Sequence, residues 1–157
     1  KSELQAREIC PSWFLLFYLD FPSYQWRKDF PDKLINFHPS LLPAFPGMNP
    51  DFDISLIRPV VIGSTVEIIR SKMDQGLQLA QSVNYFDTKE NFETARHRVF
   101  LQQCALCLQV IEWINNERIT LNGDYAFVKN SIFRNGEEFF PILDKPVESF
   151  YKLLLKK

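Results

Sequence analysis

Apolar and polar positions fall in short blocks along this chain, and the period of each block predicts its element. Trp13 to Leu19 is continuously apolar, the pattern of a central strand buried on both faces. Asp20-Phe21-Pro22-Ser23 breaks it. Tyr24 to Phe30 is a short amphipathic turn or helix ended by Pro31-Asp32, and Lys33 to His38 is a second strand; strand, short helix and parallel strand make a right-handed βαβ unit. Upstream, Ser2 to Cys10 has helical composition and Pro11 stops it. Met48 to Pro59 is irregular and reads as a short helix. Val60 to Ile69 and Leu77 to Tyr85 are strands close enough across Lys72 to Gly76 to pair as a hairpin.

Asp87-Thr88-Lys89-Glu90 has the spacing of a capping box and opens the longest helix, Lys89 to Asn115. Its expected core stripe is Phe92, Ala95, Val99, Cys104, Leu108, Ile111 and Ile114, mostly at three- and four-residue intervals. Arg118 to Leu121 and Tyr125 to Val128 should pair across Asn122-Gly123, with a further hairpin at Asn135-Gly136 inside Ser131 to Leu143. The tail, Val147 to Lys157, is weakly helical with a basic end and is expected to fray.

Composition narrows the class. The chain has 157 residues, 46% hydrophobic and 15% aromatic, enough to bury one core without disulfides. A net charge of −1 argues against broad nucleic-acid or membrane-surface binding. No apolar run approaches the ~20 residues of a membrane span, and no signal-peptide pattern is present, so a cytoplasmic protein is expected. Cys104-x-x-Cys107 lies inside a helical stretch with no second pair, which reads as buried reduced thiols in place of a zinc or redox site.

The candidate chemistry sits in Leu34 to Gly47, Leu-Ile-Asn-Phe-His-Pro-Ser-Leu-Leu-Pro-Ala-Phe-Pro-Gly. A strand runs into a loop stiffened by three prolines, and Asn36 and His38, two apart, share one face of that strand. His97, flanked by Arg96 and Arg98, reads as a solvated or capping residue. The Phe and Trp residues of the first strand and long helix lie on apolar runs and read as core, not as a base-stacking platform.

Asn36-x-His38-Pro39-Ser40-Leu41-Leu42-Pro43, followed by Pro46-Gly47, resembles the signature of folate-dependent formyltransferases, closest to the glycinamide ribonucleotide transformylases. Gly63-Ser64-Thr65-Val66 and Met73-Asp74-Gln75-Gly76 extend the resemblance, which runs from about Pro11 to about Asn122. It implies an α/β, Rossmann-like formyltransferase fold: a mostly parallel central sheet with helices on both faces and C-terminal β-hairpins. The formyltransferase part would be 1–128, with a hairpin and helical tail at 129–157. It further implies that an N-terminal third, carrying a Gly-rich phosphate turn, precedes Lys1.

The function implied is transfer of a formyl group from 10-formyltetrahydrofolate to an amine, without a metal. The catalytic set carried over is Asn36, His38 and Asp74. His38 could donate to the oxyanion of a tetrahedral intermediate or accept the proton of the attacking amine, Asn36 would add an amide donor, and Asp74 would orient His38 and favour its charged form. The folate-side positions are Leu19, Asp20, Phe21, Pro22, Asn36, Arg70, Ser71, Lys72, Met73 and Asp74; Gln103 is the position facing the acceptor. The Leu42–Pro43 peptide is expected to be cis. The sequence departs from the family at Asp20, where an Arg is replaced, at Asn49, Asp51 and Glu67, which stand for histidines, and at Gln103-Cys104, which replaces a Glu-His pair. Glycinamide ribonucleotide is the leading acceptor. Alternatives are an amino-sugar nucleotide and a truncated, non-catalytic binding relative. Partners are small molecules, with a homodimer allowed and no nucleic acid or membrane expected.

Overall fold

The computed structural model describes residues 12–17 and 22–156. The proposed helix Ser2 to Cys10, the end of the first strand at Leu19, and Asp20 and Phe21 lie outside the described residues. Within them the chain forms β1 (Phe14–Phe17), α1 (Tyr24–Asp29), β2 (Leu34–His38), α2 (Pro50–Ile57), β3 (Val61–Ile68), β4 (Leu77–Tyr85), α3 (Phe92–Asn115), β5 (Ile119–Asn122), β6 (Tyr125–Val128), β7 (Phe139–Phe140) and α4 (Lys145–Leu154).

Five strands form one sheet in the order β1-β2-β3-β4-β7. The α/β class holds, but the sheet is mixed where a mostly parallel one was expected. Only β1 and β2 pair in parallel among the described strands, in the βαβ unit read from the sequence; β2–β3, β3–β4 and β4–β7 are all antiparallel. β1 stands at the edge of the described sheet, with only Leu16 fully buried, instead of at its centre.

Period-two alternation on β2 divides the packing. Ile35 and Phe37 join Val66 and Ile68 of β3 beneath Ala105, Leu106, Val110 and Trp113 of α3 in the main core. Leu34 points the other way and packs with Leu16, Ile69, Trp26 of α1 and Phe30 at its C-cap, so helices cover both faces.

α3 starts later than the expected capping box. Asp87 Oδ1 instead accepts from Lys89 N at 2.9 Å in a local turn, and Asn91 caps the helix by accepting from Glu93 N at 2.9 Å. Its buried stripe also differs. Ala95 and Val99 are buried as expected, but Leu108 and Ile111 are 38% and 39% exposed, and the inward face continues through Gln102, Gln103, Leu106, Gln109, Val110 and Trp113. Each buried glutamine bonds to another element: Gln102 donates to the Val83 carbonyl, Gln103 to that of Phe37, and Gln109 exchanges two bonds with Asp144. Cys104 and Cys107 are free thiols, partly rather than fully buried, and that burial pushes both up in pKa.

One C-terminal hairpin forms, β5–β6, turning on Gly123-Asp124 with Gly123 at φ +56°, one residue beyond the expected turn. The second does not: β7 pairs with β4 and leaves Asn135-Gly136 in a loop. The tail does not fray. Val147 and Tyr151 of α4 are buried in the main core, where the Tyr151 ring meets Phe139 edge-on at 4.9 Å.

Candidate active site

The site is built on the sheet face opposite α3. Antiparallel register sets Asn36 against Glu67 and His38 against Thr65, so all four side chains rise from one patch of β2 and β3. The loop after His38 is pinned onto that patch. Thr65 Oγ1 donates to the Ser40 carbonyl at 2.8 Å and accepts from Leu42 N at 2.9 Å; Gln81 Nε2 reaches both Thr65 Oγ1 and the Leu42 carbonyl at 3.0 Å. The Leu42–Pro43 peptide is cis. The Ser40 hydroxyl closes the turn on the Ala44 carbonyl at 2.6 Å, which brings the Phe45 carbonyl 3.0 Å from His38 Nε2.

Asp74 arrives from the loop between β3 and β4. Its backbone is left-handed at φ +53°, a conformation Asp tolerates better than most residues. Asp74 Oδ1 lies 3.5 Å from His38 Nδ1, and Oδ2 accepts from Gly47 N at 2.5 Å. Both His38 and Asp74 are buried. Asn36 Nδ2 donates to Glu67 Oε1 at 3.4 Å, and Glu67 Oε2 accepts from Gly76 N at 2.7 Å. Burial raises the pKa of Glu67; the bonds from Gly76 and Asn36 oppose it, Asp74 adds to it and His38 counters it. Burial also raises Asp51, at the start of α2, against the lowering effect of Arg96 at 3.7 Å.

The two stretches assigned to the folate side meet at Arg27. Arg27 of α1 donates through Nε to the Pro22 carbonyl at 3.1 Å and through Nη1 to the Ser71 carbonyl at 2.6 Å. An Arg on the polar side of a short helix carries no sequence signal for this. Ser71 and Lys72 are exposed and Met73 is partly buried, whereas Arg70 turns its guanidinium to Asp32 at 2.8 Å and to the Gly123 carbonyl at 3.3 Å. Arg70 is thereby an anchor of the loop base. Leu19, Asp20 and Phe21 lie outside the described residues. Gln103 is 1% exposed on the α3 side of β2, where it donates to the Phe37 carbonyl, the peptide that leads into His38, at 3.4 Å. His97 is exposed, with its ring 6.4 Å from that of Phe100. Among the described residues no group of three or more His, Cys, Asp or Glu is placed to hold a metal ion, and no helix is long and apolar enough to cross a membrane.

A buried His–Asp pair beside an amide side chain, at the end of a strand, can stabilise an oxyanion and move a proton, which suits acyl-group transfer. Comparison with known proteins agrees with that chemistry. The chain is 39% identical over 67 residues to the phosphoribosylglycinamide formyltransferase of Bacillus subtilis, covering 43% of this chain and 34% of that protein. It is 28% identical over 130 residues to the chloroplastic phosphoribosylglycinamide formyltransferase of Arabidopsis thaliana, covering 78% and 44%. It is 27% identical over 101 residues to the formyltetrahydrofolate deformylase of Bacillus subtilis, covering 64% and 33%. The chain thus spans between a third and a half of the length of these relatives. The crystal structure of glycinamide ribonucleotide transformylase 1 from Symbiobacterium toebii shares the fold, with a TM-score of 0.72 at 24% identity over 80% of this chain and 59% of that one. The sequence profile of the formyl transferase family matches residues 14–111, more than half of the chain, and spans β1, the Asn36–His38 strand, the Asp74 loop and most of α3. The chain therefore belongs to the formyl transferase family.

Proposed function

We propose that this chain is the catalytic part of a formyltransferase that moves a formyl group from 10-formyltetrahydrofolate to the amine of glycinamide ribonucleotide. The observation that carries the proposal is the contact of His38 with Asp74 at 3.5 Å, with Asn36 on the same strand face. The acceptor nitrogen attacks the formyl carbon and the carbonyl oxygen takes up negative charge; the tetrahedral carbon then collapses, its bond to the folate nitrogen breaks, and the proton lost by the amine is delivered to that nitrogen. With Nδ1 of His38 turned to Asp74, Nε2 is the nitrogen left for the reacting oxygen, and its present partner is one neutral carbonyl, that of Phe45. Asn36 supplies a second, uncharged donor. Asp74 Oδ1, 3.5 Å from Nδ1, orients the ring. The Pro22 and Ser71 backbone, joined by Arg27, forms the side on which the folate would lie.

The test uses the full-length protein. His38→Ala and Asp74→Asn should each lower kcat for formyl transfer to glycinamide ribonucleotide by about 10²- to 10⁴-fold. Folate-analogue affinity should stay within about tenfold, because these groups act on the transition state more than on the ground state. Binding is read by thermal shift, where analogue at about a hundred times its Kd adds roughly 2.7 kcal/mol to native stability. Activity retained in both variants would remove the pair from the mechanism. Similarity to a formyltetrahydrofolate deformylase makes formate release without an acceptor amine the control: formate in place of formylated amine would recast the protein as a hydrolase.

A further inference from the structure

We propose that Glu67 is the positioning residue of this site, holding the Asn36 amide in one orientation and tethering the Asp74 loop to β3. The inference rests on the formyl-transfer reading, in which Asn36 is a donor. Glu67 is 2% exposed, and its two oxygens are divided between two elements: Oε1 accepts from Asn36 Nδ2 at 3.4 Å and Oε2 from Gly76 N at 2.7 Å.

A primary amide presents a donor at one end and an acceptor at the other, so Asn36 by itself is free to turn either way. Both Glu67 oxygens face N–H donors, the arrangement of an ionised carboxylate, which only accepts and in that form admits only the nitrogen end of Asn36 on its side. The second Nδ2 hydrogen is then left for a reacting oxygen. The same carboxylate fixes Gly76, two residues after Asp74. A Cβ at position 76 would lie 2.2 Å from the Ile68 carbonyl oxygen and 2.7 Å from Glu67 Oε2, so the loop meets the carboxylate with no space for a methyl group. Register completes the geometry, since Glu67 stands directly across the strand pair from Asn36. A buried carboxylate is costly unless it is well hydrogen-bonded, and the partners of this one are the catalytic amide and the loop that carries the orienting acid.

The deciding variant is Glu67→Gln in the full-length protein. The Gly76 N–H belongs to the backbone and cannot turn away, so the Gln carbonyl oxygen stays with it and the Gln NH₂ is forced against Asn36. Asn36 must then invert and offer its oxygen. The expected result is a kcat lowered by about 10- to 100-fold with the KM for the folate donor unchanged. The Asn36 side-chain NH₂ resonances should shift in a ¹⁵N–¹H spectrum while Gly76 amide exchange stays slow. Glu67→Asp, too short to reach both partners, should instead speed Gly76 exchange. Unmoved Asn36 resonances in Glu67→Gln, or a kcat that falls only with the folded fraction, would overturn the proposal. If the wild type transfers no formyl group, the formyl-transfer reading fails, while the two NMR signatures still decide whether Glu67 positions Asn36 and the loop.

Discussion

At His38 both ring nitrogens face oxygens, Nδ1 toward Asp74 and Nε2 toward the Phe45 carbonyl. A neutral imidazole has one N–H to donate, and only the doubly protonated ring donates to both. Glu67, close by, gives the clearest pH prediction. Burial raises its pKa above the ordinary 4.5, so the folded protein holds that proton more tightly than the unfolded chain does. Stability contributed at this position is present below 4.5 and is lost as pH rises through the raised folded value. Glutamine has no such titration, and Asp51, which shares the sign, is common to both proteins. In urea denaturation from about pH 4 to about pH 8, the wild type should lose stability relative to Glu67→Gln as pH rises. A difference that stays constant, or that grows in favour of the wild type, would contradict this placement of Glu67.

At the scale of elements, α3 is fastened by its glutamines as much as by its apolar residues. Gln109 donates to Asp144 Oδ2 at 2.8 Å and accepts from Asp144 N at 2.6 Å, which locks the start of α4 onto α3; Arg118 also pairs with Asp144. A hydrophobic replacement at this buried position would strand the Asp144 N–H. Gln109→Leu should therefore destabilise the protein by about 1–3 kcal/mol, although it makes the core more apolar. Chemical denaturation measures this, and a stabilised variant would show that the pair contributes nothing net. The same glutamines explain why the stripe read from hydrophobicity drifted toward Leu108 and Ile111: a polar residue satisfied by a distant carbonyl looks like a surface position in a one-dimensional pattern.

For the whole molecule, the C-terminal segment completes the core that carries the site. Removing residues 145–157 would strip Val147 and Tyr151 from the cluster that includes Trp113 and Phe139. Each large apolar side chain in such a cluster is worth about 1.5–3 kcal/mol, a sizeable share of a stability of roughly 5–15 kcal/mol. The truncated protein should show a markedly lower urea midpoint; an unchanged midpoint would mean that α4 adds nothing to the fold. The sequence by itself determined where most of the described strands and helices lie, because period two and period three-to-four repeats act over a few neighbouring residues. It also determined that Asn36 and His38 share a face, from strand alternation alone. Asp74 entered only through family resemblance, since nothing local ties a turn aspartate to a distant histidine. Tertiary structure alone decided that β3 joins β2 antiparallel and so makes the sheet mixed, that Asp74 reaches His38, that Gln103 bonds the Phe37 carbonyl, that Arg27 joins the two folate-side stretches, and that Glu67 grips Asn36 and Gly76 together. Those contacts depend on loop closure and on which polar groups find partners once buried, and both are properties of the closed fold that no window of neighbouring residues contains.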